Sequence, residues 1–486
     1  RYAGALARLR LVRPFDAAPA DAKTAVATTV DTTTQPNEVS TPARVDAAWL
    51  ASLHELGLDP GPAASREHLL RRLTVDLANR TPTEEEAQRA LAGPGSAVTS
   101  QVRAQFISEL VDSARFRDML ARLLCDVFSL DPGSAASDIQ RSEKLAQRKQ
   151  LFARIDALRT LDDLARDILE GPLARVVDSM PDPRDRADFV AETLLGTSLA
   201  CARCHDHPIG PWRQDEHAGF SACFVDEDRG SGRLYGPDQE PIEAQLLPLR
   251  EKQAPAEDQS LRASLVHFLR GEGRESLARL WCHRVFARLF GRGLHDRIDD
   301  QRLTNPALHE AVLDVLTSDL LANGGRLDRP FRVLAATRLY ALASADEAEF
   351  PVEVRYLARR AVRVLSAEQR LLVAATALDA SPPPAIGARA PLSFELDVRR
   401  AVLAPLATER GNWIDVQLLG ADVVDAATSR EIVTRLFLRC LGRKPSDGEA
   451  ARLAALAALP SASSSSSSLR EIATALVSSR EFAVLR

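Results

Sequence analysis

Apolar positions along the chain recur every three or four residues, and Leu and Ala fill most of them. That period places them on one face of a helix, and Leu and Ala hold helices better than strands. The pattern predicts helices near Val45–Leu58, through His68–Leu91, over 102–130 and 141–170, over Arg186–Leu195, and from Leu265 to Leu342. Residues 15–44 show no period and read as an extended linker behind a basic N-terminus. Residues 226–262 are rich in Gly, Pro and mixed charge and read as a junction or surface excursion. Pro-rich 381–391 and Ser461–Ser468 read as further breaks. The expected fold is mostly α. Its expected divisions are 1–44, a helical domain over 45–225, the junction 226–262, a middle helical domain over 263–380, the linker 381–391 and a C-terminal helical unit over 392–486.

The helical pattern repeats. Arg435-Leu-Phe-Leu-Arg-Cys-Leu-Gly-Arg443 parallels Arg284-Val-Phe-Ala-Arg-Leu-Phe-Gly-Arg292, and Arg72-Leu-Thr-Val-Asp-Leu-Ala-Asn-Arg80 is a fainter copy. Each ends in Gly or Asn, the residues that close helices in the left-handed conformation. The first and last copies continue as Pro82-Thr-Glu-Glu-Glu86 and Pro445-Ser-Asp-Gly-Glu449, where Thr83 or Ser446 caps a second helix and Glu86 or Glu449 completes a capping box. A matching helix closes each copy: Leu110–Phe116, Leu334–Tyr340 and Leu476–Phe482, each with a hydroxyl residue three before an aromatic. Three related helical units are expected, with a loop-rich segment around residue 201 inserted between the first and second.

Composition narrows the function classes. Apolar content of 45% supports real cores. A net charge of −5 argues against nucleic-acid binding. Six Cys in 486 residues make no disulfide framework. Cys125, Cys282 and Cys440 lie in apolar helical patterns and read as buried free thiols. The first fourteen residues hold four Arg and no Glu or Lys and only reach their first acid at Asp16. This reads as the remnant of an export or anchoring segment, suited to membrane association.

Chemistry concentrates at Cys201-Ala-Arg-Cys-His-Asp-His-Pro208. Cys201, Cys204 and His205 form C-x-x-C-H, the attachment pattern of haem c: two thiols for thioether bonds and an imidazole for the iron. Candidates for the sixth iron ligand are Met180, His217, His283 and His309, with His295 beside them; none has a spacing rule behind it. One alternative is a zinc site from Cys201, Cys204, His207 or His205, and Cys223, though the second half of a zinc ribbon is missing. Another is a redox disulfide between Cys201 and Cys204, which lacks the βαβ pattern it usually accompanies. Asp299-Asp300 reads as a paired-acid turn bonded to a neighbouring Arg. No nucleophile elbow, phosphate loop or HExxH pattern appears, so whether the chain is an enzyme stays open.

Cys201–Pro208, followed by Pro211-Trp-Arg-Gln-Asp215 and Phe220, resembles a planctomycete-type cytochrome-associated domain of unknown function. Arg71-Arg72 through Pro82-Thr83 resembles its N-terminal helical element. Arg284–Gly293, Asp299-Asp300, Asn305-Pro306, His309, Val312-Leu-Asp314 and Leu365-Ser-Ala-Glu-Gln369 resemble its companion C-terminal domain, taken here as 276–486. The resemblance implies export beyond the cytoplasmic membrane of a bacterium, into the periplasm or outside, and a haem-type motif. His283 and Phe286 depart from the Asn and Trp usual at those positions. The function expected is a mono-haem c-type, periplasmic electron carrier working beside a redox partner or in a larger complex. The alternatives are a structural or interaction subunit with a zinc-bound or vestigial Cys-His site, and a haem oxidoreductase with an open iron position.

Overall fold

The computed structural model describes residues 40–92, 98–207, 212–225, 234, 240–247, 260–301, 305–377, 426–457, 472–473, 475–477 and 479–485. The expected breaks at 381–391 and Ser461–Ser468, most of the 226–262 junction and the first 39 residues lie outside them.

The fold is mostly α, as the periodicity predicts. Helix α1 (Thr41–Leu56) turns Val45, Trp49 and Leu53, four apart, into the core and ends at Gly57 in the left-handed region. Residues 41–44, read as linker, therefore belong to a helix. Helices α2 (Arg66–Ala78) and α3 (Glu84–Leu91) follow, then α4 (Ser100–Val111), α5 (Ala114–Val127), α6 (Asp138–Arg154), α7 (Leu161–Leu169), α8 (Pro183–Val190) and α9 (Gln214–Ala222). Beyond the junction come α10 (Leu261–Arg270), α11 (Arg274–Phe290), α12 (Glu310–Ala322), α13 (Arg329–Ala336), α14 (Ala367–Ala377), α15 (Ala426–Leu441) and α16 (Asp447–Ala457). The strands are two residues each. β1 (Ser344–Ala345) pairs in parallel with β2 (Arg360–Ala361), and β3 (Arg363–Val364) antiparallel with β4 (Val484–Leu485).

Two long predicted helices are broken, for the same physical reason. The 102–130 stretch splits at Ser113, and 141–170 splits before Thr160, because a hydroxyl at each point caps a new helix. Ser113 also corrects the reading of the closing segments, which are not helices but clipped corners. The Ser113 hydroxyl donates to the Leu110 carbonyl at 2.6 Å and accepts from the Phe116 N–H at 3.2 Å. Thr337 does the same between Leu334 and Tyr340, at 2.7 and 3.0 Å. Ser479 does it between Leu476 and Phe482, at 2.7 and 3.1 Å. All three aromatics are buried.

The other repeated positions behave alike. Asn79, Gly291 and Gly442 end α2, α11 and α15 with φ of 48°, 77° and 70°. A Cβ at Gly442 would sit 3.2 Å from Arg71 Cβ and 3.3 Å from Pro82 Cγ, so glycine there serves both conformation and packing. Arg80 clasps Glu86 and the Thr81 carbonyl, while Arg443 clasps Glu449 and the Lys444 carbonyl, each guanidinium bracing a capping box.

Buried arginines lock the units together. Arg71 donates to the carbonyls of Cys440 at 2.6 Å and Phe482 at 2.8 Å, joining the first unit to the third. Arg360 makes the corresponding pair in the second unit, to Leu289 and Tyr340. Arg72 reaches the Tyr340 and Leu342 carbonyls at 2.6 and 3.0 Å. Asp76, fully buried, accepts from the Tyr340 hydroxyl at 2.8 Å and pairs with Arg363 and Arg360. Burial pushes Arg72 down to about 9, opposed by the Tyr340 and Asp76 oxygens. One apolar core runs from Val45 to Ala358; a second holds 365–485 and includes Val75 of α2.

Candidate functional site

The Cys-His motif sits where a helix loses its register. Helix α8 relaxes into a wider π turn over Ala191–Leu195, which ends at Gly196 with φ 63°. A Cβ there would meet Gln301 Nε2 at 2.3 Å, while Gln301 N–H donates to the Gly196 carbonyl at 2.8 Å. Arg284 takes up carbonyls of the π turn, Thr193 at 2.6 Å and Glu192 at 3.2 Å, and pairs with Asp299 at 2.7 Å. The paired-acid turn is thus bonded to an Arg, and Asp299 helps hold the segment that presents the motif.

A 3₁₀ turn, Ala200–Arg203, then carries the chemistry. Leu199 and Ala202 are buried and pin the turn to the core, while Cys201, Cys204 and His205 stay exposed. Both thiols are free. Arg203 between them is held by Asp185 and Asp188, each at 2.7 Å. His205 Nδ1 lies 2.8 Å from the Asp206 carbonyl, which fixes the tautomer with Nδ1–H donating and Nε2 carrying the lone pair. The Asp206 carboxylate accepts from Gln214 N–H at 2.9 Å and so caps α9. His207 is buried and its N–H donates to the Trp212 carbonyl at 2.8 Å. Pro208 and Pro211 lie outside the described residues.

Cys201, Cys204 and His205 follow one another along one exposed turn. Cys223 is buried on the far end of α9, its Sγ facing the Gly219 and Gln245 carbonyls, and burial pushes its thiol up to about 12. Among the described residues no group of three or more His, Cys, Asp or Glu is placed to hold a metal ion. His283 donates from Nδ1 to the Ile298 carbonyl at 3.1 Å and accepts at Nε2 from Leu294 and His295 N–H at 2.7 and 3.1 Å. Burial and the neighbouring His295 push it down to about 3. His309 uses one nitrogen on Ser52 at 2.8 Å and the other on the Tyr356 carbonyl at 3.0 Å. Both rings are structural, and iron ligation would break these bonds. His295 Nδ1 meets the Asn305 carbonyl. His217 lies beneath the motif on α9, 2% exposed, with Nε2 3.0 Å from Asp188. The same Asp188 holds Arg203, so His217 props the turn from below. Met180 is half-buried, and its carbonyl accepts from Arg186 at 2.7 Å. Sequence reasoning missed Asp188, whose only signal is its position one turn after Asp185 in α8.

Two sequence comparisons bear on identity. Residues 44–178 and 175–229 match the family PSCyt2, described as a protein of unknown function (DUF1549). Residues 261–390 match PSD1, likewise a protein of unknown function (DUF1553). The chain carries this pair of domains. The PSCyt2 match takes in the whole Cys-His turn, and the PSD1 match takes in the second helical unit. It ends at 390, so α15 and α16 lie beyond it, short of the 276–486 extent expected of the companion domain. No curated protein and no solved structure matches the chain. No helix among the described residues is long and apolar enough to cross a membrane.

Proposed function

We propose that Cys201, Cys204 and His205 are the attachment site of a single haem c, and that the protein is a c-type electron carrier working with a partner protein outside the cytoplasm. The observation that carries this reading is the exposed turn itself: two free thiols and an imidazole, with His205 Nδ1 held by the Asp206 carbonyl so that Nε2 is available. Cys201 and Cys204 would hold the porphyrin edge through Sγ, and His205 would offer Nε2. A haem bound there supplies one-electron redox chemistry. The chain's own contribution is to pin the turn through Leu199 and Ala202, and to brace it through Arg203, Asp188 and His217.

With His283 and His309 both internally bonded, the sixth iron position falls to Met180, to a moved His217 or to no protein ligand. The last case favours the oxidoreductase reading, and carbon monoxide binding to the reduced protein without loss of a ligand separates it from a pure carrier. The scaffold reading is favoured by a different observation: the buried arginine network links all three units and makes no use of the motif.

The test is the visible spectrum and denaturing-gel haem stain of the full-length protein from its native source. A Soret band that survives denaturation, and vanishes in Cys204→Ser, is expected. Colourless protein carrying one zinc would overturn the haem reading in favour of the scaffold.

A further inference from the structure

The Cys-His turn touches neither of two cavities found among the described residues. The larger, about 310 Å³, lies where the first two units meet β3 and α14. Its volume is at the lower end of the range for small-ligand pockets, roughly 300–1,000 Å³. Asn79 and Gly291, the left-handed ends of α2 and α11, both face it.

The lining is divided by charge. Arg288 and Arg363 contribute one group, Asp126 and Glu368 the other, with Arg122 beside Glu368. Most of these charges are already neutralised within the protein. Glu368 accepts from Arg122 and from Arg148, and Arg363 pairs with Asp76. Two are not. The only hydrogen bond of Arg288 among the described residues is to Asn79 Oδ1, at 3.0 Å, a neutral oxygen that also accepts from Gln369. The Asp126 carboxylate makes no hydrogen bond or close ion pair among the described residues, although the Arg288 and Arg148 charges act on it through space. Asp126 is exposed, and the surrounding protein and the Glu368 charge push its carboxyl up to about 6.

Arg288, half-buried, and Asp126, exposed, line one cavity without a close ion pair between them. A ligand bearing both complementary charges would satisfy them together, with an Arg fork suited to a carboxylate. We propose that this cavity binds a small zwitterion of the amino-acid type, its carboxylate on Arg288 and its ammonium on Asp126. Arg122 and Arg363 do not compete for the carboxylate, because Glu368 and Asp76 engage them. Asn79 orients the Arg288 fork from behind. The site is independent of the Cys-His turn and holds whether or not haem is attached.

The experiment is calorimetric titration of the full chain with glycine, L-serine and γ-aminobutyrate, with acetate and methylammonium as single-charge controls. At least one zwitterion is expected to bind more tightly than about 10 mM, since two charged contacts supply millimolar affinity. Both controls should bind at least about tenfold more weakly. Asp126→Asn is nearly isosteric and breaks no hydrogen bond, so it should fold normally and lose the zwitterion by about tenfold or more. Arg288→Met should lose it too; if that variant does not fold, Asp126→Asn decides. Absence of binding by all three zwitterions, acetate binding as tightly as they do, or unchanged affinity in Asp126→Asn would each overturn the proposal.

Discussion

The inter-unit seam and the Cys-His turn differ in how many bonds fix each residue. At the seam, Arg72 is fully buried and reaches two carbonyls and a hydroxyl, while Asp76 gathers Tyr340, Arg360 and Arg363. At the turn, Cys201, Cys204 and His205 are exposed, and Leu199, Ala202 and Arg203 fasten the turn from behind, with Asp188 and His217 beneath it. The seam spends most of its polar groups on itself, although the Nε atoms of Arg72, Arg360 and Arg363 are buried without a hydrogen-bond partner among the described residues. The turn leaves its donors outward, which is the state required of groups that must react or bind. The 310 Å³ cavity is intermediate: built from seam residues, it retains two charges that the seam does not use.

The largest expected effect tests the seam. Arg72→Met strands the Leu342 carbonyl in the core, leaves the Tyr340 carbonyl with its 3.4 Å bond from Arg360, and should destabilise by about 3 kcal/mol or more, read as a lower urea midpoint. A loss under about 1 kcal/mol would mean that the seam's bonds are redundant.

Acid sensitivity comes next. His283 is held neutral in the fold and pushed down to about 3, whereas in the unfolded chain it takes a proton near the ordinary histidine value of 6.5. Stability is therefore undiminished above pH 6.5 and falls as pH drops from there toward 3, by at most about 1.4 kcal/mol per pH unit. Denaturation at stepped pH should show that fall in the native chain and a shallower one in His283→Gln; equal slopes would assign the acid limb to other groups.

A smaller effect sharpens the repeat. Ser113→Ala and Ser479→Ala remove equivalent clips and should each cost about 1 kcal/mol. Thermal melts giving sharply unequal losses would show that the two corners, alike in geometry, are unlike in load. The smallest effect belongs to the turn: Cys204→Ser should change stability by no more than about 0.5 kcal/mol, measured on protein without a bound group. A large loss would make the exposed thiol a structural element and erase the contrast.

The repeats were legible because their signals are local. Asn79, Gly291 and Gly442 announce left-handed helix ends, and Thr83 and Ser446 announce capping boxes with Glu86 and Glu449. The same locality misled at Leu110–Phe116, where apolar spacing suggests one helix but the Ser113 hydroxyl breaks it. At the candidate site the three donors were legible as a motif, yet their supports were not. Asp188, Arg284 and Gln301 reach the segment from other elements, and no spacing links them to Cys201. The Arg288–Asp126 pair was invisible for the same reason.

The amino-acid order alone determined the helical class, the left-handed helix ends and the capping boxes, and offered Cys201, Cys204 and His205 as a candidate ligand set, because each depends on neighbours within about four positions. Only the tertiary structure decided which histidines are already engaged, that the Cys223 thiol is buried against the Gly219 and Gln245 carbonyls, and which charges lack a close ion pair. Those outcomes depend on burial and on partners supplied from far along the chain, and spacing does not encode them.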